Sequence, residues 1–485
     1  MGKVCFELTN IKVNFLDEEI LNIERLAIHE FERIGIVGRN GTGKSTLLRL
    51  LAGEMKPTYG KITSDVELGY SPQKESINTT SDVDGMLLKK LLVSLNNENL
   101  SGGEEMRLRW AELFTNYHEA LLLDEPTTHL DNNGIEFLTN HLRYYYGTLV
   151  LISHNRAFLD ELVTTIWEIN NGKIQVYNGN YTQYKFQKEI EKEKQIQDYE
   201  KFRKEKKRLE TAATEKMKKA NKVVATNKLS KNDARAKPNR MNETKSKGSS
   251  QKAVYKAAKA IEQRKERLVK VENFKVEREI KFHQTKNFQL YNSAPIMANG
   301  LVLKVGKKVL LDNVSFQFPL GKKIAIVGGN GVGKSSLLEH IVDFGEGLTI
   351  SPKAKFGYFK QMSYRFTKSE TVLEFLKKQS DYNESFLKSA LYAMGFVGND
   401  LRKDVMELSG GEIVKLHLCK LFLGKYNILL LDEPTNFLDI QTIEALEKFM
   451  LSYLGTIIFV SHDIEFINRV SDIKYQIIDR KIIII

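Results

Sequence analysis

The chain has 485 residues, 42% of them hydrophobic, and a formal net charge of +12. That length holds two or three domains with ample core, and the basic balance points to nucleic acid or an anionic membrane face as partner. Two unpaired cysteines, Cys5 and Cys419, exclude a disulfide framework or thiolate zinc site and suit a reducing cytoplasm. The N-terminal stretch MGKVCFELTN has no apolar leader, and no apolar run approaches the ~18 residues of a membrane span.

The first informative element is a short strand, Arg33–Val37 (RIGIV). It runs into Gly38-Arg39-Asn40-Gly41-Thr42-Gly43-Lys44-Ser45-Thr46 and then a helical LLRLLAG. Strand, G-x-x-x-x-G-K-[ST] loop and helix together are a phosphate loop. The glycines turn backbone N–H groups toward the β- and γ-phosphates of ATP, and the helix dipole helps. Lys44 would neutralise the phosphate oxygens, and Ser45 would offer its hydroxyl to Mg²⁺. Upstream, Phe15 lies in a strand-like stretch where its ring could stack on adenine; it is otherwise an edge core aromatic. Gln73 follows the strand-like ELGYSP and could reach the metal or the attacking water.

Leu100-Ser101-Gly102-Gly103-Glu104 then opens a helix (EMRLRWAEL), a second anion-binding geometry. Ala120–Leu123 reads as a buried strand leading to Asp124-Glu125-Pro126. The first carboxylate, Asp124, would hold Mg²⁺, and Glu125 would polarise the water that attacks the γ-phosphate. His129-Leu130-Asp131 follows, and a further strand, TLVLIS, ends at His154, placed to contact the γ-phosphate.

A basic stretch comes next. Thr182–Lys281 holds 31 Lys+Arg against 15 Asp+Glu, a net of +16. Thr182 to Ala225 predicts a helix with an apolar stripe at Tyr181, Tyr184, Ile190, Ile196, Tyr199, Phe202 and Leu209. Gln251 to Glu279 predicts a second, through Val254, Ala257, Ile261, Leu268 and Val271, to pack as an antiparallel hairpin. Thr226–Ser250 reads as the tip, where Lys228, Lys231, Arg235, Lys237, Arg240, Lys245 and Lys247 face only Asp233 and Glu243. Such a tip suits RNA phosphates. It contains no aromatic residue, so base readout would fall to Arg235, Arg240, Asn227, Asn232, Asn239, Leu229 or Met241. The plain alternative is a solvated charged coiled coil.

After the basic stretch the first set of motifs recurs. Lys323–Val327 leads to Gly328-Gly329-Asn330-Gly331-Val332-Gly333-Lys334-Ser335-Ser336. Gln361 follows FGYFK, Leu408-Ser409-Gly410-Gly411-Glu412 precedes a helix, and Leu429–Leu431 leads to Asp432-Glu433-Pro434. Phe437-Leu438-Asp439 and Ser461-His462-Asp463 close the set. Lys44 to Lys334 is 290 residues and Gln73 to Gln361 is 288, whereas Ser101 to Ser409, Glu125 to Glu433 and His154 to His462 are each 308. The first copy is therefore about 20 residues shorter between the Gln loop and LSGGE. Neither copy is degenerate at a catalytic position. Asn155 stands where the second copy has Asp463, and LVLKVGKK (Leu301–Lys308) offers the second site no ring.

Phosphate loop, Gln loop, LSGGE, D-E-P and His, in this order and twice, resemble the ATP-binding cassette superfamily. Two cassettes on one chain, no membrane span and a charged helical linker are similar to the ABC-F family, over essentially the whole chain. Within it, the chain looks most like antibiotic-resistance proteins of the macrolide/streptogramin (Msr and Vga) type. The short interval Gln73–Leu100 and the segments WEINNGKIQVYNGNYTQY, TISPKAKFGYFKQ and LLLDEPTNFLDI carry that likeness. The resemblance implies two α/β P-loop cassettes, 1–181 and 291–485, joined by a basic antiparallel helical hairpin at 182–290 with its tip at about 226–250. It also implies a monomer in which the cassettes close head-to-tail on two ATPs and Mg²⁺. One site would pair Lys44, Ser45 and Glu125 with Ser409 and Gly411; the other, Lys334, Ser335 and Glu433 with Ser101 and Gly103. Thr46, Gly102, Ser336 and Gly410 would also bind ATP.

The implied activity is ATP hydrolysis by a cytoplasmic, ribosome-associated protein with no membrane partner. Members dock at the tRNA exit site of the large subunit. From there the linker would reach past the P-site tRNA to the peptidyl-transferase centre and free a macrolide, streptogramin or lincosamide. A housekeeping translation or ribosome-assembly factor is the alternative, and the ATPase subunit of an efflux transporter is a third reading.

Overall fold

The structure is a computed structural model. It describes residues 2–15, 18–72, 85, 102–128, 130–229, 256–257, 259–260, 263, 282, 290–360 and 366–485. Gln73, Ser101, His129, Gln361, Lys231, Arg235, Lys237, Arg240, Lys245 and Lys247 lie outside the described residues. So does most of the predicted second hairpin helix.

Two compact units divide the chain. The larger joins Met1–Tyr184 to Arg278–Ile485, and the smaller is Lys185–Glu277. Within the larger unit the same architecture is built twice. Each copy has a six-stranded sheet whose central strands are short, continuous apolar runs. In the first copy the order is Leu68–Ser71, Ala120–Asp124, Thr148–Ile152, Arg33–Val37, Thr165–Asn170, Lys173–Asn178. All pairings but the last are parallel. Strands buried on both faces have no polar side to alternate with, which is why ALLLD and TLVLI read as unbroken apolar segments. The second copy repeats the order with Phe356–Phe359, Ile428–Asp432, Thr456–Val460, Lys323–Val327, Ile473–Ile478 and Lys481–Ile484.

A three-stranded antiparallel sheet covers each phosphate-loop helix. In the first copy it is built from Val4–Phe15, Glu18–His29 and Tyr59–Ser64. One face is buried through Phe6, Leu8, Ile11 and Val13, packed with Leu47, Leu48 and Leu51 of the helix Lys44–Leu51. Register places the chemistry: Asp124 pairs with Ile152 and Asp432 with Val460, so each carboxylate stands at the sheet's carboxyl edge, beside the strand that leads to the histidine.

Phe282 and Leu290 are buried in the second copy's core. The Phe282 ring lies 5.3 Å from Phe449, 5.8 Å from Phe422, 6.1 Å from Phe386 and 6.3 Å from Tyr453, centroid to centroid. Both cysteines are buried and unpaired.

The 49-residue helix Tyr181–Leu229 is described on its own terms. It runs past Ala225 and takes in Lys228, so the first residues assigned to the tip are helical. At ~1.5 Å per residue it is roughly 70 Å long. Pairs such as Lys188–Glu191 and Arg208–Glu205 lie along it, exposed and therefore weak. Of its stripe, Tyr181 and Leu209 are buried, Ile196, Tyr199 and Phe202 half-buried, and Ile190 exposed. Among the described residues no helix is long and apolar enough to cross a membrane.

Replacing Phe282 by Ala opens a cavity among four aromatic rings and is expected to cost about 3–5 kcal/mol. The denaturant midpoint of the second cassette's transition should fall accordingly; an unchanged midpoint would contradict the packing.

Candidate active site

The phosphate loops are shaped by glycines that no other residue could replace. A Cβ on Gly38 would stand 2.7 Å from the Ile169 carbonyl oxygen, and one on Gly328 equally close to that of Ile477. Gly43 and Gly333 cap their helices with φ of 94° and 107°, a left-handed backbone that favours glycine. Lys44 and Lys334 are buried. Lys44 Nζ donates to the Gly38 and Arg39 carbonyls at 2.9 and 3.0 Å, and Lys334 Nζ to those of Gly328 and Gly329 at 2.8 Å each.

The two carboxylates beyond each strand differ in environment. Ser335 Oγ donates to Asp432 Oδ1 at 3.0 Å, and Ser45 hydrogen-bonds Asp124 likewise. Burial raises both aspartates above their ordinary range. Glu125 and Glu433 follow, held at φ 52° and 49°. That left-handed conformation is costly for a side chain with a Cβ, and it recurs at the same place in both copies. Their N–H groups donate to the Ile152 and Val460 carbonyls at 3.0 Å, tying each turn to the next strand's end.

Burial drives both glutamates up to about 7, against the pull of Lys44 and Lys334. His154 Nε2 lies 3.3 Å from Glu125 Oε1, and His462 Nε2 lies 3.4 Å from Glu433 Oε1. Burial, reinforced by Lys44, lowers His154 to about 3; burial and Lys334 lower His462 to about 4. Both imidazoles are therefore neutral at physiological pH, with one ring nitrogen to donate and one to accept.

The copies meet at these sites. Asp439 caps its own helix by accepting from Thr442 N at 2.9 Å through Oδ1, while Oδ2 accepts from Asn40 N, in the other copy's phosphate loop, at 3.1 Å. Asp131 repeats this: Oδ1 accepts from Gly134 N at 3.0 Å and Oδ2 from Asn330 N at 3.4 Å. Burial would raise Asp439, but Lys415, 3.0 Å away, and Thr442 hold it far below the usual carboxylate range. Asn40 Nδ2 also donates to the Phe437 carbonyl at 2.9 Å, and a Cβ on Gly411 would come 3.2 Å from that nitrogen. Arg39 reaches the Gly395 carbonyl. Ser409 caps the helix Gly410–Leu423, with Glu412 reaching back to it. The LSGGE helix of the second copy thus begins against the phosphate loop of the first. Its counterpart Gly102–Thr115 is helical, with Gly102 and Gly103 at its start.

One cavity of about 1670 Å³ runs through both sites. It is lined by Gly41, Lys44, Ser45, Thr46, Asp124, Glu125 and His154 together with Ser409 and Gly411, and by Asn330, Gly331, Gly333, Lys334, Ser335, Ser336, Glu433 and His462. Phe15 lines its first half, half-exposed at the end of its strand; Val305, Lys308 and Leu310 line the second. Buried oxygens at Asp124 Oδ1, Glu125 Oε1 and both Glu433 carboxylate oxygens carry no hydrogen bond. A magnesium nucleotide fits these groups: lysines and glycine N–H groups for phosphates, serine and aspartate oxygens for the metal. Among the described residues no group of three His, Cys, Asp or Glu side chains could hold a metal. Sequence motifs missed Asp131 and Asp439 as site residues, although their recurrence at 308 residues was a signal. Nothing in the motifs singled out Arg39.

The family described as ABC transporter matches residues 21–84 and 311–436. The chain is 42% identical, over 99% of both proteins, to the Erythromycin resistance ATP-binding protein MsrA of Staphylococcus epidermidis. It is 30% identical to the Ribosome protection protein VmlR of Bacillus subtilis, over 98% of this chain and 87% of that protein. Two solved structures share the fold. One, titled RNase-L Inhibitor, has a TM-score of 0.62 at 19% identity. The other, the archaeal ribosome recycling factor aABCE1 in complex with the stalk protein aP1, has a TM-score of 0.63 at 20% identity. Each match covers 96% of this chain and 87% of the other. With the cassette motifs present twice on one chain and full-length similarity to MsrA, the chain belongs to the ABC-F family of ATP-binding cassette proteins.

Proposed function

We propose that this chain is a ribosome-binding ATPase that confers antibiotic resistance by ribosomal protection. The observation that carries the reading is the pair of composite sites. Each couples one copy's phosphate loop to the other copy's aspartate, on a chain 42% identical throughout to an erythromycin-resistance protein. ATP bound at both sites favours the closed body by its differential affinity for it. The closed protein docks at the tRNA exit site of the large subunit. Its basic linker reaches past the P-site tRNA to the peptidyl-transferase centre, where Lys228, Lys231, Arg235, Lys237, Arg240, Lys245 and Lys247 meet rRNA phosphates. A macrolide, streptogramin or lincosamide is displaced. Hydrolysis then releases the protein.

Within each site, Lys44 and Lys334 hold the phosphates. Ser45 with Asp124, and Ser335 with Asp432, would hold Mg²⁺, with Gln73 and Gln361 as further candidate ligands. The metal would supply neutralisation of phosphate charge. Glu125 and Glu433 take a proton from, and orient, the attacking water. The backbone N–H of His154 holds Glu125 by donating to Oε2 at 3.3 Å, which leaves the single N–H of each neutral imidazole, His154 and His462, to donate toward the γ-phosphate. Phe15 stacks on one adenine; the other rests on Val305 and Leu310.

Three outcomes follow. Glu125→Gln with Glu433→Gln should cut ATP turnover by about 100-fold or more, within the range for a lost general base. The variant should accumulate on ribosomes with ATP in co-sedimentation; unchanged ribosome affinity with ATP present would sink the mechanism. Because the glutamates are protonated below about 7 and carboxylate above it, kcat, which reports the ATP-bound closed protein, should rise with pH through about 7. A flat profile between pH about 5.5 and 8 would contradict their role as bases. Expression in a susceptible host should raise the inhibitory concentration of at least one macrolide, streptogramin or lincosamide. Deletions within 226–250 should abolish that protection while ATPase activity persists. Protection by the full chain against none of the three classes would favour a housekeeping factor.

A further inference from the structure

One buried cation crosses between the copies away from both phosphate loops. Arg156 opens the helix Arg156–Leu162, two residues after His154, and its side chain is wholly buried. Its guanidinium lies 2.5 Å from Glu447 Oε1, 3.2 Å from Glu465 Oε2 and 3.7 Å from Asp463 Oδ2. All three belong to the second copy. Arg469 of that copy joins the cluster, 3.4 Å from Glu447 and paired with Glu465. Among the described residues, every carboxylate within ion-pair reach of Arg156 comes from across the interface.

Two neighbours connect this cluster to the machinery. Asp463 follows His462 directly and caps the helix Ile464–Val470, accepting from Phe466 N at 2.9 Å. Tyr181, the first residue of the long helix, is buried within the field of Glu444, Arg156, Glu465 and Arg469; burial, chiefly, pushes its hydroxyl far up. Ile440 of the second copy packs against the same first-copy core that holds Tyr181.

The cluster is one-sided. At the 308-residue offset Arg156 corresponds to Ile464, Asp463 to Asn155 and Glu447 to Thr139. Ile464 is 55% exposed and carries no charge. Asn155 caps its helix as Asp463 does, accepting from Phe158 N at 3.0 Å. The carboxylate of Asp463 is therefore dispensable for capping, and what distinguishes it is its approach to Arg156.

We infer that Arg156 is a positioning residue for closure: a one-sided latch that joins the His462 loop of the second copy to the first copy and to the root of the linker helix. The inference rests on the ATP-clamp reading. A buried guanidinium is stable only while its carboxylates are present, and all of them leave when the copies separate. The latch therefore adds to the closed state alone and ties the second site to the linker more directly than the first.

The test uses the full-length Glu125→Gln/Glu433→Gln protein with dyes on Tyr144→Cys and Leu451→Cys, both exposed, one on each copy; the native cysteines are buried. Energy transfer is followed against ATP concentration. Arg156→Met should raise the ATP needed for half-maximal closure by about tenfold or more, as expected for a buried charge group left without its partner. Asp463→Asn should shift it in the same direction by less, with the nucleotide-free melting temperature unchanged. If Arg156→Met lowers that melting temperature, Asp463→Asn decides. A parent that closes, with Asp463→Asn closing at the same ATP concentration, overturns the latch. A parent that closes at no ATP concentration overturns the clamp and the latch together.

Discussion

Each cassette completes the other through one aspartate that does two things. Asp131 and Asp439 use one carboxylate oxygen to cap their own helix and the other to accept an N–H from the opposite phosphate loop. A cap is worth about 1 kcal/mol to its helix. The second bond is worth something only when the copies are together. The residue is thus held rigidly by its own domain while its second oxygen, which in Asp439 also accepts from Lys415 Nζ at 3.0 Å, reaches the other. With that pairing come Gly411 beside Asn40, one cavity through both sites, and two buried glutamates.

That seclusion sets the chemistry. Glu125 and Glu433 are raised to about 7 because burial outweighs their lysines. A carboxylate near neutrality is a competent base, and one that accepts and returns a proton at little cost. The histidines beside them are kept neutral by the same burial. The left-handed glutamate backbone aims the side chain, and the parallel register of Asp124 with Ile152 brings that turn beside the strand leading to His154. Strand order, turn and protonation state act together, in both copies.

Much of this was legible in the residues themselves. Phosphate loops, LSGGE and D-E-P are local segments, each tied to the conformation it adopts, so their order and repetition located strands, helices and many of the residues that line the shared cavity. Contacts between copies were not legible, because they join positions far apart through a geometry that no local pattern encodes. Asp439 to Asn40 is one case and Arg156 to Glu447 another. The change from Asn155 to Asp463 looked minor, since both residues cap a helix equally well; the structure separates them by the guanidinium that only Asp463 approaches. Phe282 was hidden for a different reason. An isolated ring in a charged, polar stretch has no periodicity to betray that it is core.

The central claim is that each ATP site is built from both copies, and site-resolved photolabelling tests it most directly. The full chain is labelled with an azido-ATP, and the labelled peptides are assigned to the Lys44 loop or the Lys334 loop. Asp439→Asn keeps the helix cap but turns an N–H toward Asn40 N. The account predicts that label is lost at the first copy's Lys44 loop, in the other cassette, while the Lys334 loop in its own cassette stays labelled. Loss confined to the Lys334 loop would contradict it.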